Sequence, residues 1–191
     1  ILKLWESFKQ IRVGVSIDGY GDVLEYQRAP IKWKLLYRNM QRLDQNLDIN
    51  LKCWFTFTVT PYNVLHLPEF MRWKLEESGL KRFNPLTGLR PLVTHHMCHS
   101  PKHLNVKVLP EIFKDEVLEK YQEYIDWIMS SGYSTKVKNS FVKICDGVTD
   151  FMLSEDYYKD HWDKFVFETA KLDELRNQDI KSVVPEFKHL L

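Results

Sequence analysis

Three groups of residues carry side chains able to do chemistry. The first is Ser16-Ile17-Asp18-Gly19, followed twelve positions after the serine by Arg28. A hydroxyl at a strand end can bond a ribose, and an arginine grips a carboxylate with two parallel hydrogen bonds. The same residues also fit a strand leaving through an ordinary Asp-Gly turn, with a surface arginine beyond it. The second group is Thr56, Thr58, Thr60 and Asn63. Thr56 and Thr58 alternate along an apolar run, so they share a face that suits a polar substrate. Threonine is also simply a good strand former, and asparagine a common helix-initiating residue; the sequence leaves both readings open. The third group is His95-His96-Met97-Cys98-His99, with His103 beyond. Imidazole and thiol are ligands for zinc, copper or iron. His95 and His99 would share a helical face, as would His99 and His103, but Pro101 breaks such a helix and no second ligand pair follows at finger spacing. The segment reads as a histidine-rich loop near a sheet end with His95 facing a substrate. A His/Cys metal-binding protein is its rival. His66 and His161 stand alone and read as structural. No nucleophile elbow, phosphate loop or dinucleotide fingerprint is present, Asp22 and Glu25 make no convincing acid–base pair, and no residue is assigned a catalytic role.

These side chains need a frame, and hydrophobic periodicity supplies one. Residues 11–17 are a short β-branched run, too short for a helix, and read as a first strand. Residues 20–29 read as a loop with a turn of helix. Pro30 introduces a helix over 31–43, where Ile31, Leu35, Leu36, Met40 and Leu43 recur near the helical period. Residues 51–60 alternate cleanly as a second strand, and a helix opening at Pro68-Glu69 stops at Gly79. This order predicts parallel βαβ units with right-handed crossovers, whose carboxyl ends are where ligands bind. Four prolines or glycines between 81 and 109 exclude long helices there. Phe83 to Leu86, Leu92 to His96 and His103 to Val108 are candidate short strands. Helices follow over 112–131, 137–153 and 157–176. The predicted class is therefore α/β: a parallel-stranded portion over 1–110, with a helical C-terminal extension over 111–191 packed on it.

The totals narrow the function. With 191 residues, 44% hydrophobic and 28% charged, the composition is that of a globular domain. Net charge is +1, which gives no electrostatic reason to expect nucleic acid. No apolar run reaches about 18 residues, so no membrane span is expected. Residues 1–10 are amphipathic and charged, unlike a signal peptide. Cys53, Cys98 and Cys145 lie far apart, which argues against a disulfide framework and for a reducing, cytoplasmic setting.

The serial order S-I-D-G-Y-G-D-V-L-E-Y-Q-R, W-K-L-L-Y-R-N-M, F-T-F-T-V-T-P-Y-N-V-L-H-L-P-E-F resembles the second half of a radical S-adenosylmethionine enzyme. It is most similar to those with a shortened C-terminal extension of the twitch or SPASM type. The resemblance covers about residues 11–110, with a weaker echo over 165–187. It implies half of a partial (β/α) barrel. It also implies that Ser16 meets the ribose or amino-acid end of S-adenosylmethionine, that Arg28 meets its carboxylate, and that Asp18 and Asn63 join the cofactor-binding rim. Thr56, Thr58 and His95 would then face the substrate. A complete relative cleaves S-adenosylmethionine with a reduced [4Fe–4S] cluster to give a 5′-deoxyadenosyl radical. The C-x-x-x-C-x-x-C triplet that holds that cluster is absent here. The expectation is thus a catalytically incomplete C-terminal portion, with neither cofactor bound to this chain alone. A truncated parallel sheet leaves an unpaired edge, so a dimer, a larger assembly or a missing N-terminal half is expected to cover the first strand or the cavity side. The rival class is a non-catalytic interaction or scaffold domain.

Overall fold

The computed structural model describes residues 2–45, 50–83 and 93–189. A short helix α1 (Leu2–Trp5) leads into strand β1 (Ile11–Ser16). Helices α2 (Gly21–Gln27) and α3 (Trp33–Gln45) carry the chain to β2 (Leu51–Val59). Helix α4 (His66–Glu76) and then β3 (Val93–Met97) complete a three-stranded parallel sheet in the order β1-β2-β3. Ser16 pairs with Thr56, and Thr58 with His96. Helices α5 (Glu111–Ser130), α6 (Thr135–Leu153), α7 (Tyr158–Arg176) and the short α8 (Ile180–Val183) follow.

The sheet has two unlike faces because its side chains alternate. Leu51, Cys53, Phe55, Phe57 and Val59 of β2 all point into the core. Phe55 and Phe57 pack against Phe70 of α4 with ring centroids 5.4 Å apart, and Phe83 stacks on Phe55 at 5.0 Å. All four rings are fully buried, and each such burial stabilises the fold by about 1.5–3 kcal/mol. The buried cluster continues without a break through Phe113, Phe141 and Phe165 to Phe187, so the helical extension shares one core with the sheet. The other face carries Arg12, Gly14 and Ser16 of β1, Lys52, Trp54, Thr56 and Thr58 of β2, and His96 of β3. Parallel sheets are normally covered on both faces; here the second face is mostly polar, and its residues are exposed or half-buried among the described residues.

Two expectations need correction, and a third lies mostly outside the described residues. Residues 20–29 contain a regular seven-residue helix, α2, held by burial of Val23, Leu24 and Tyr26 rather than by any periodicity long enough to see. His103 to Val108 is no strand: two single 3₁₀ turns, Lys102–Leu104 and Val106–Val108, occupy it. Asn105 separates them, and its side chain accepts the Lys107 N–H, a local bond that competes with strand pairing. The candidate strand at Phe83 to Leu86 lies, after Phe83, outside the described residues.

Candidate functional site

The site grows from the carboxyl end of β1. The ladder continues one residue past the strand, where the Ile17 N–H donates to the Thr56 carbonyl at 2.8 Å. Asp18 then ends it with its side chain. Its Oδ1 accepts the Thr58 backbone N–H at 2.8 Å, and its Oδ2 accepts Arg28 Nε–H at 2.7 Å. The carboxylate thus stands where a further β1 carbonyl would be. Asp18 is almost fully buried, at 7% exposure, and a carboxylate tolerates that only when paired and hydrogen-bonded.

Asn63 closes the same rim from β2. Its Oδ1 accepts the Thr60 N–H at 2.8 Å and lies 3.3 Å from the Thr60 hydroxyl. Its Nδ2 donates to the Asp18 carbonyl at 3.1 Å and to the Thr58 carbonyl at 2.9 Å. Gln27 of α2 adds a further bond from its Nε2 to the Asp18 carbonyl. An asparagine amide offers two donors and one acceptor oxygen, and all are occupied here. Asp18 and Asn63, both expected at the cofactor-binding rim, are held there by these internal bonds. Both are buried and lock two strand ends together; both atoms of the Asn63 amide are occupied, and each Asp18 carboxylate oxygen holds one partner.

Ser16, Thr56 and Thr58 differ. Their hydroxyls make no hydrogen bond among the described residues, and they share the open face in adjacent register. Arg28 uses Nε on Asp18, while its two Nη groups have no partner among the described residues and its side chain is one-third exposed. Trp54 lies against the backbone of Gly14 on this face, where a Cβ at Gly14 would meet its ring at 3.0 Å. His95, expected to face a substrate with Thr56 and Thr58, does not share their face of the sheet. It pairs with Phe57, so the pleat turns it to the helix-covered face beside Gly147 of α6. Burial there lowers its pKa. The histidine on the open face is His96.

The loop between β1 and α2 is held from behind. Gly19 has φ +145°, and a Cβ there would sit 2.9 Å from His66 Cδ2. The Tyr20 N–H donates to His66 Nε2 at 3.2 Å, so the opposite nitrogen, Nδ1, carries the proton and donates to Glu69 at 3.0 Å. The His66 hydrogen bond, seconded by Lys120, holds the Glu69 carboxyl down at about 2. The Tyr20 ring stacks on Trp73 at 5.3 Å. No sequence signal marks His66 or Gln27 as part of this rim, because each arrives through tertiary folding. His96 was within reach, since it alternates with His95, but its face depends on the β2–β3 register.

The residues suit one implied cofactor and not the other. Three hydroxyls without a partner among the described residues, and the Arg28 guanidinium held on Asp18, are groups of the kind that bond a ribose and a carboxylate. A [4Fe–4S] cluster does not fit. Cys53 is buried on the core face of β2 and Cys145 inside α6, with thiols pushed up to about 12 by burial. Cys98 lies beyond β3. Among the described residues no group of three or more His, Cys, Asp or Glu is placed to hold a metal ion, and His95, His96, His99 and His103 are dispersed. His99 packs on Phe151, for example. No helix of the described residues is long and apolar enough to cross a membrane. No family model, curated protein or solved structure matches the chain.

Proposed function

We propose that this chain is the cofactor- and substrate-contacting portion of a radical S-adenosylmethionine enzyme, catalytically incomplete by itself and cytoplasmic. The observation that carries this reading is the open sheet face, with the Ser16, Thr56 and Thr58 hydroxyls unpartnered among the described residues and Arg28 bound to Asp18 at the end of β1. Ser16 bonds the ribose hydroxyls, and the free Nη groups of Arg28 hold the amino-acid carboxylate. Asp18 aims Arg28, and Asn63 fixes the strand ends so that Ser16 and Thr58 keep their spacing. Thr56 and Thr58 form part of the substrate wall. When bound, S-adenosylmethionine supplies the adenosyl group for hydrogen abstraction; no step is assigned through a cluster this chain cannot ligate.

Equilibrium dialysis with labelled S-adenosylmethionine tests the reading. Against the sequence expectation of no cofactor on this chain alone, this reading predicts weak, millimolar binding, with Ser16→Ala and Arg28→Ala each weakening it about tenfold, the worth of one good polar contact. Binding unchanged by either substitution contradicts it. The scattered cysteines favour a second reading, a scaffold that has lost the cofactor. Complete absence of binding by a folded protein supports that one.

A further inference from the structure

Two helices on the surface carry charge patterns that a single copy leaves uncompensated. On α3, Lys34, Arg38 and Arg42 recur every four residues, all exposed, and none has an ion-pair partner among the described residues. Exposed Ile31, just ahead of the helix, and Leu35 flank this stripe. On α5, Glu111, Asp115, Glu119 and Glu123 also recur every four residues, exposed and without an ion-pair partner among the described residues. Exposed Ile112 and Met129 flank that stripe. Like charges at this spacing destabilise a helix by a few tenths of a kcal/mol per pair, so each stripe is a standing cost in one isolated copy.

The two stripes do not neutralise each other within a chain, because α4 lies between their helices. Trp73 of α4 packs on Trp33 and Tyr37 of α3. Toward the other helix, Glu69 of α4 pairs with Lys120, and Arg72 lies over the Trp127 ring at 4.7 Å. The repeat along each stripe is about 6 Å, so cations and carboxylates match in register when the helices are laid together.

We propose that two copies of this chain associate through α3 and α5, the basic stripe of each lying on the acidic stripe of the other. A twofold arrangement uses both stripes of both copies and closes, leaving no charged face to propagate a fibre. The flanking apolar residues give each contact an anchor, and the charges set partner and register. This proposal stands apart from the cofactor reading and uses none of its residues.

Sedimentation velocity on the full chain and two charge-reversed variants tests it. One variant carries Lys34→Glu, Arg38→Glu and Arg42→Glu; the other carries Asp115→Lys, Glu119→Lys and Glu123→Lys. The wild type is expected to dimerise at low salt, with a dissociation constant that rises about tenfold or more at high salt. Each folded variant alone is expected to be monomeric, while an equimolar mixture of the two reassociates. A wild type that stays monomeric at low salt overturns the proposal. So does a variant that dimerises alone, or a mixture that does not associate.

Discussion

Replacing Asp18 tests whether its carboxylate finishes the β1–β2 ladder. Asp18→Asn keeps one acceptor oxygen for the Thr58 N–H but turns an amide donor toward Arg28 Nε–H. A charge-assisted bond of 2.7 Å becomes a donor–donor contact. Such bonds contribute about 1.5–3 kcal/mol, and Arg28, one-third exposed, can swing to water, so the lower end applies: about 1.5 kcal/mol. Asp18→Ala also strands the Thr58 N–H, adding a further 1–3 kcal/mol or so, for about 3–4 kcal/mol in all. Urea unfolding followed by tryptophan fluorescence gives both values, provided the slope is unchanged. The Arg28→Gln cost should nearly vanish in the Asp18→Asn background. Equal costs for Asn and Ala at position 18 refute the ladder-ending role. So does an Arg28→Gln cost that is the same in both backgrounds.

Three further outcomes follow from other sites. Gly19→Ala forces a side chain onto φ +145° and against His66, and is expected to cost about 2–3 kcal/mol in the same urea assay; a neutral result contradicts the observed loop geometry. Burial lowers the Lys74 ammonium from 10.5 to about 8, so the unfolded chain binds more protons between those values. Lys74→Met should therefore stabilise the protein by about 1–2 kcal/mol at neutral pH, after loss of the bond to the Leu80 carbonyl. The gain should shrink as pH rises from 8 to 10.5; an equal gain at both ends contradicts this. Glu69 titrates near 2 when folded against an ordinary 4.5, so its contribution is present above 4.5 and lost as pH falls toward 2. Glu69→Gln should flatten that part of the acid-unfolding curve; because Glu69 is nearly half exposed, the change is modest.

Much of the frame was legible in the sequence because it rests on period. The alternation of Leu51 to Thr60 and the recurrence of Phe113, Val117, Tyr121 and Ile128 each place a strand or helix within a residue or two. The crossovers made β1 and β2 parallel neighbours, which brought Asp18 and Asn63 to one rim. What escaped depends on register and on bonds between distant residues. The side on which His95 falls is set by its pairing with Phe57, which no local pattern encodes. That Asp18 and Asn63 would hold internal partners is invisible without the Thr58 backbone and the Arg28 Nε beside them. His66, 46 positions after Tyr20, meets its amide only in the fold.

The most direct test of the cofactor reading is an amide and arginine side-chain chemical-shift titration with S-adenosylmethionine. The expected result is a set of saturable shifts at Ser16, Thr56 and Thr58, and at the Arg28 guanidinium, with the α5 and α6 surfaces unmoved. No shift at millimolar ligand, or shifts gathered on the helical side, would contradict it.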